Sequence, residues 1–268
     1  MRYRFKKNWL KDSSVRQKKQ NKRKISFFLI AVFLFLIFVF FAFCPYLQIK
    51  NIEINGIFRF SSKDYLKEIA NNFAVKKLIF IENRNIFFIW NKSLENYIKE
   101  KDYKIGKVVA RKIYPDKLLI SIEERFPVGI IYSGENSFLF DNEGVIFQNV
   151  GKDFSNQNLI RLLTSNNVIL GEKNFEENFI NDLETIFDFF ENKLKINLEN
   201  IDISSSDKIV VSAKEGWKVF LTIDKNLKIN LEKLKIVLIQ EISLEDRNNL
   251  DYIDLRFDKI FYKFNQTK

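Results

Sequence analysis

The sequence predicts an α+β protein with an N-terminal transmembrane helix, then a small β-α-α-β-β domain and a second, mostly-β domain with two helices. Three observations predict this organisation. Residues 25–44 form one uninterrupted apolar stretch, the next 80 residues show strand, helix, helix, strand and strand patterns, and the remainder mostly alternates with a period of two. We therefore divide the chain into a cytoplasmic basic tail (1–24), a transmembrane helix (25–44), a first domain (45–124), a C-terminal β domain (125–264) and a tail (265–268).

The apolar stretch is long enough to cross a membrane. Twenty helical residues span about 30 Å, the thickness of the hydrocarbon core. Sixteen of the twenty are Leu, Ile, Phe or Val, which favours insertion by about 5 kcal/mol or more. A cleaved secretory signal is the alternative, but its only matching site would leave Pro45 directly after the cut. A lipoprotein signal would need a small residue before Cys44, and Phe43 is large.

The charge distribution predicts the orientation of this helix. Eleven of the 44 basic residues and one of the 34 acidic residues precede Ile25, so the tail carries the whole net charge of +10. Basic flanks stay in the cytoplasm, which places the 224 residues after Cys44 outside. Because that outer part is neutral, the sequence predicts no nucleic-acid binding there, and the tail suits anionic lipid headgroups better than DNA.

Composition and spacing argue against an enzyme. The chain has no histidine and one cysteine, Cys44, which excludes Ser-His-Asp, Cys-His and His- or Cys-based zinc sites as well as intramolecular disulfides. Glu123 and Glu124 are adjacent on a strand and point to opposite faces, so they cannot act as a glycosidase pair. Asp141 and Glu143 are interpreted as turn residues because the spaced ligand set of a calcium loop is missing. We predict no catalytic residue, no metal and no cofactor.

The first domain is predicted element by element. Ile52 and Ile54 alternate with polar residues and predict a strand that ends at Gly56. Two amphipathic helices follow, with Ser61 or Ser62 as the first cap. The apolar positions of these helices are Tyr65, Leu66, Ile69 and Phe73, then Trp90, Leu94, Tyr97 and Ile98. Alternating residues over 108–113 and 118–122, joined at Pro115, predict two strands, and a small sheet covered by two helices would bury all these patterns.

The second domain is predicted in the same way. Strands are expected at 128–132, 138–140 and 145–147, followed by a loop over 149–173. A helix with a capping box at Asn174 and Glu177 then begins. Its apolar stripe comprises Phe175, Phe179, Leu183, Ile186, Phe187 and Phe190. A hairpin over 209–223, a helix over 227–238 and two strands at 253–257 and 260–264 complete the chain. A last strand at a sheet edge would expose unpaired N–H and C=O groups.

Four motifs in this order resemble the FtsQ/DivIB cell-division family, single-pass membrane proteins whose first outer domain is a POTRA domain. They are the Ile-x-Ile-x-Gly opening that ends at Gly56, the Arg-x-x-Tyr-Pro turn of Arg111 and Pro115, the Glu-Arg-x-Pro junction of Glu124, Arg125 and Pro127, and the Tyr-x-Asp-Leu-Arg run that contains Tyr252, Asp254 and Arg256. The order in which the motifs occur, after a single anchor, carries the resemblance.

The resemblance implies a non-catalytic scaffold at the division septum. Its C-terminal strand would bind FtsB/FtsL-like single-pass proteins by β-augmentation, and its POTRA-like domain would help to recruit other division components. By position, the expected partner-binding residues are Tyr252, Asp254, Arg256, Phe257, Ile260 and Tyr262. Asp254 and Arg256 could instead form only a cross-strand pair, and Lys259 and Lys263 could protect the edge or recognise acidic groups. The functional alternatives are a membrane-anchored envelope enzyme and a POTRA-type export or assembly chaperone.

Overall fold

The computed structural model describes residues 2–78, 81–151, 154, 158–205, 207–223 and 226–265, with side chains from residue 22 onward except 76–83. Most of the predicted tail at 265–268 therefore lies outside the described residues. The α+β class is confirmed. Helix α1 (Arg2–Phe43) includes the apolar stretch except Cys44, and among the described residues its segment Lys22–Phe43 is the one that is long and apolar enough to span a membrane. This segment fits a single-pass membrane protein.

Contacts divide the chain into two compact units. The first contains residues 1–56, 62–98 and 108–121, and the second contains 57–61, 99–107 and 122–268. The predicted β-α-α-β-β order is confirmed, with one short added hairpin, β2–β3. The elements are β1 (Asn51–Asn55), α2 (Lys63–Ala74), β2 (Lys76–Leu78), β3 (Ile81–Asn83), α3 (Asn91–Lys101), β4 (Ile105–Ile113) and β5 (Lys117–Glu124).

The three-stranded sheet has the order β1-β5-β4, with β1 parallel to β5. The alternation of the sequence determines which side chains are buried. Ile52 lies opposite Leu118 and Ile54 opposite Ile120, and all four are buried. The helices bury Leu66, Ile69, Leu94 and Ile98 as predicted, whereas Tyr65 and Trp90 are exposed. Ser62 occupies the N-cap position of α2 without a side-chain cap.

The second unit contains a nine-stranded sheet with the order β14-β13-β12-β11-β10-β9-β6-β7-β8. Its strands are β6 (Gly129–Ser133), β7 (Asn136–Phe140), β8 (Ile146–Asn149), β9 (Ile160–Thr164), β10 (Leu198–Asp202), β11 (Ile209–Ala213), β12 (Lys218–Leu221), β13 (Leu250–Asp254) and β14 (Phe261–Phe264). Its helices are α4 (Glu177–Asp188), which continues as a π-helical segment, Phe189–Leu194, and α5 (Leu227–Gln240). Apolar residues of both helices share one core with the sheet, around the fully buried Trp217.

Two expectations for this unit were wrong. The region 149–173 is not only a loop, because β9 lies inside it and pairs in parallel with both β6 and β10. The capping box is also absent, since α4 begins at Glu177 and its N-cap, Glu176, makes no side-chain cap. The N–H groups of Asn174 and Phe175 instead donate to the carbonyl oxygen of Gly144, at 2.9 and 3.4 Å, which holds both residues outside the helix.

Candidate partner-binding edge

The candidate site is the last hairpin of the chain, in which β14 forms one edge of the nine-stranded sheet. Ile253 lies opposite Tyr262, Asp254 opposite Phe261, and Tyr252 opposite Lys263. Among the described residues, no strand pairs with the other side of β14. The predicted position of the C-terminal strand at the sheet edge is therefore observed. The strand is shorter than expected, because Ile260 precedes it.

Backbone hydrogen bonds indicate which groups of β14 point outward. The N–H of Leu255 donates to Phe220 of β12 at 2.9 Å, and the N–H of Asn265 donates to Asn249 at 2.7 Å. Because N–H and C=O groups alternate in direction along a strand, the groups of residues 252, 254, 261 and 263 face one another inside the hairpin. The N–H and C=O groups of Tyr262 and Phe264 consequently face outward, where a further strand could bind.

Exposed aromatic side chains surround this open edge. Phe257 is 56% exposed, Phe261 52%, Tyr262 40% and Phe264 37%. They form two ring contacts, with centroid distances of 6.0 Å between Phe257 and Phe261 and 5.8 Å between Tyr262 and Phe264. Clustered exposed aromatic residues are typical of protein-binding surfaces. Ile260, by contrast, is partly buried against the core.

Asp254 and Arg256 form a structural pair that shapes the turn after β13. The Asp254 carboxylate is buried and accepts hydrogen bonds from the Arg256 backbone N–H at 3.1 Å, from Nε at 3.0 Å and from Nη2 at 2.7 Å. Burial alone would raise the pKa of Asp254, but the hydrogen bonds and positive charge of Arg256 lower it below its ordinary value. The guanidinium lies over the rings of Phe220 and Phe257, at 5.6 and 5.4 Å.

The six predicted partner-binding residues thus differ in accessibility. Phe257 and Tyr262 are exposed at the edge, whereas Asp254 is buried. The other three, Tyr252, Arg256 and Ile260, are half-buried. Tyr252 packs against Phe220 with a centroid distance of 5.2 Å. Contact of any of these residues with a partner remains a prediction.

The edge also contains positions that the motifs did not single out. Phe261 and Phe264 are exposed on β14. Lys263 forms an ion pair with Asp251 of β13 at 3.3 Å, so its ammonium group is directed along the hairpin. Alternation along the strand could have identified Phe264, because it follows Tyr262 at a spacing of two.

Glu124 organises a different part of the second unit. Its carboxylate accepts hydrogen bonds from three consecutive backbone N–H groups, of Arg59 at 2.6 Å, Phe60 at 3.1 Å and Ser61 at 2.7 Å. The Ser61 hydroxyl donates to the buried Asp102 at 2.6 Å. The Glu of the Glu-Arg-x-Pro motif therefore holds segment 57–61 in the second unit.

Arg125, the next motif residue, stabilises the hairpin turn that follows β7. Its guanidinium donates to Asp141 and, at 2.8 Å, to Glu143. Burial disfavours its charge, but the hydrogen bonds and negative charges of Glu143 and Asp141 outweigh this and raise the pKa of Arg125. Asp141 also accepts from the backbone N–H groups of Glu143 and Val145, at 3.0 and 2.9 Å. These contacts agree with the interpretation of Asp141 and Glu143 as turn residues.

The remaining motif residues do not assemble into one site. Gly56 follows β1 directly, Arg111 is exposed on β4, and Pro115 is exposed in the β4–β5 turn. Pro127 is half-buried just before β6. Each of these positions lies in a strand, in a turn or within two residues of a strand.

We predict that Glu124→Gln lowers the free energy of unfolding by about 1–3 kcal/mol, because a neutral amide cannot replace charge-assisted hydrogen bonds to three N–H groups. The measurement is the urea midpoint of the full-length protein in detergent, followed by near-UV circular dichroism. Glu123→Gln is the matched control. Glu123 is exposed and forms an ion pair with Lys107 at 3.2 Å, so its loss should cost about 0.5 kcal/mol or less. Equal effects of the two substitutions would contradict the assigned role of Glu124.

A second prediction concerns pH. Since the pKa of Asp254 is lower in the folded protein than its ordinary 3.8, the stability it contributes is complete above that value and is lost as pH falls through the folded pKa. Asp254→Asn should therefore destabilise the protein at neutral pH, and the difference from wild type should vanish in acid. Asp251→Asn removes the more exposed pair with Lys263 and should cost at most about 1 kcal/mol at neutral pH. A difference for Asp254→Asn that stays constant with pH would refute the prediction.

Comparison with known proteins adds evidence from most of the chain. No protein-family model matches the sequence. The cell division protein DivIB of Clostridium tetani is 24% identical over 221 residues, which cover 80% of this chain and 77% of that protein. DivIB of Clostridium acetobutylicum is 28% identical over 219 residues, covering 80% of this chain and 81% of the relative. In its sequence, its ordered motifs, its apolar N-terminal helix and its α+β fold, the chain is thus similar to DivIB cell division proteins, and these relatives support the FtsQ/DivIB resemblance.

Proposed function

We propose that this protein is a non-catalytic scaffold of cell division that binds single-pass division proteins of the FtsB/FtsL type outside the cytoplasmic membrane. The observation that carries the proposal is the open edge of β14, where the backbone groups of Tyr262 and Phe264 face outward. Similarity to two DivIB cell division proteins over 80% of the chain supports the biological role. The POTRA-like domain contributes a second surface, for the recruitment of other division components.

The edge suits a partner strand because it combines backbone complementarity with aromatic anchors. A strand added beside β14 would exchange hydrogen bonds with the outward groups of Tyr262 and Phe264. The rings of Phe257 and Phe261 lie within 6.0 Å of each other beside the strand and can bury apolar side chains of the partner. Backbone pairing gives affinity to any strand, so the aromatic contacts supply selectivity.

The anchor makes a modest affinity sufficient. Transmembrane helices confine the protein and its partners to one thin layer. The effective concentration of each partner near the protein is therefore far higher than in solution. The orientation proposed for the anchor follows from the eleven basic residues before Ile25, which favour a cytoplasmic N-terminus and place the residues after Cys44 outside. The protein then acts by holding partners at the septum.

We predict that Tyr262→Pro weakens partner binding roughly tenfold or more, because it removes an outward N–H that a partner strand needs. The hairpin should survive, since proline is tolerated at edge positions whose N–H faces solvent. Binding is measured by retention of the purified FtsB/FtsL-like partner on the full-length protein in detergent.

Two variants make this test specific. Tyr262→Ala keeps the N–H and loses the ring, so it should bind better than Tyr262→Pro if strand pairing dominates. Lys263→Pro removes an inward N–H and should destabilise the hairpin itself, which circular dichroism would register. Unchanged retention by Tyr262→Pro would refute binding through this edge.

A further prediction separates a division scaffold from an envelope enzyme or an export chaperone. A fluorescent protein that matures only in the cytoplasm, fused to the N-terminus of the full chain, should fluoresce and concentrate at mid-cell. The same protein fused after residue 268 should stay dark, because an outside C-terminus is the proposed topology. A uniform envelope signal would argue against a division role, and a bright C-terminal fusion would overturn the orientation.

A further inference from the structure

The first unit holds the end of the membrane helix through one buried side chain. The Asn85 amide donates hydrogen bonds from Nδ2 to the carbonyl oxygens of Phe41, at 2.8 Å, and Ala42, at 3.1 Å. Its Oδ1 accepts from the Phe87 N–H at 2.9 Å, and the side chain is 1% exposed. The last carbonyl groups of a helix lack partners within the helix. The Asn85 amide is the hydrogen-bond partner of two of these carbonyl groups. Its oxygen also caps the short 3₁₀ turn Ile86–Phe88.

This turn lies beside the last part of α1, which belongs to the segment that is expected to be in the membrane. The ring of Phe88 is 6.3 Å from that of Phe38, and residues of the turn and of the helix together line an apolar pocket of about 210 Å³. Phe38 precedes the last helical residue, Phe43, by five positions, or about 7–8 Å along the axis. If α1 spans the bilayer over Lys22–Phe43, Phe88 contacts it below the outer headgroups.

The residues around this contact are aromatic and exposed. Phe87 is 52% exposed and Trp90 73%. Tyr114 is 56% exposed and packs against Phe87, with a centroid distance of 5.4 Å. Tyr46, three residues beyond the helix, is 76% exposed. The helical pattern of the sequence predicted a buried Trp90, so its exposure needs another explanation.

We propose that this aromatic cluster, composed of Phe87, Phe88, Trp90 and Tyr114, inserts into the outer leaflet at the boundary between headgroups and acyl chains. Tryptophan and tyrosine favour this zone because their rings are apolar and their N–H or O–H groups are polar. The depth of Phe38 selects lipid as the occupant, since lipid surrounds the span at that level. Insertion of the cluster gives the part of the first unit that follows α1 a second attachment to the membrane and restricts its rotation about this helix.

The test uses Trp90 as its own probe. The full-length Trp9→Phe variant is reconstituted in phosphatidylcholine vesicles and in vesicles whose acyl chains carry bromine close to the glycerol. Bromine quenches only tryptophans that it touches, and Trp217 is fully buried in the second unit. Because the cluster would sit within about 5–10 Å of the headgroups, the brominated lipid should remove up to about half of the emission.

Matched variants test whether the quenching comes from Trp90. Trp9→Phe with Trp90→Phe should show no difference between the two lipids. Phe87→Asp in the Trp9→Phe background should shift the Trp90 emission to longer wavelength and reduce its quenching, because a carboxylate opposes insertion. Equal emission of Trp9→Phe in both lipids would overturn the proposal. It would also be overturned if Trp90 emission changed only when a purified division protein was added, since the cluster would then bind protein. Neither result depends on the β14 edge.

Discussion

Two adjacent charged side chains at the end of β5 organise the larger unit. Glu124 is the last residue of β5, and Arg125 follows it directly. The carboxylate collects the N–H groups of residues 59–61, and the guanidinium joins the turn at Asp141 and Glu143. Both interactions are charge-assisted and partly shielded from water, where such bonds are strongest. A four-residue motif therefore joins segments that lie more than sixty positions apart in the sequence.

Most of the fold could be predicted from the sequence, because the spacing of apolar residues indicates which side chains are buried. Ile52 and Ile54 on β1, and Leu118 and Ile120 on β5, are buried as their alternation requires. Strand β9 was missed because five residues within a polar region carry too little periodicity, and its place between β6 and β10 is a long-range property. The β2–β3 hairpin was missed for the same reason, since each strand has three residues.

For the candidate site, the sequence predicted the location of the hairpin but not the exposure of each side chain. The motif lies in the last hairpin of the chain, but it did not distinguish residues that build the hairpin from residues that face outward. Asp254 is buried by its three bonds from Arg256, and this geometry depends on the turn after β13. Phe261 and Phe264 belong to no motif, and both are exposed on the edge strand β14. Similarly, the amphipathic pattern placed Trp90 on a buried face, although it precedes α3 and is exposed.

An open edge must also avoid pairing with copies of itself, and the features of this hairpin address that requirement. Strand β14 has four residues, which limits the hydrogen bonds available to a nonspecific strand, and the pairing with β13 shifts register between Leu250 and Tyr252. Short edge strands, irregular pairing and lysine side chains all reduce edge-to-edge association. Lys263 places a charge on the strand itself, paired with Asp251. A partner supplied at high effective concentration by its own membrane anchor can overcome these features, whereas a chance encounter cannot. The edge is thus suited to selective use within the membrane layer.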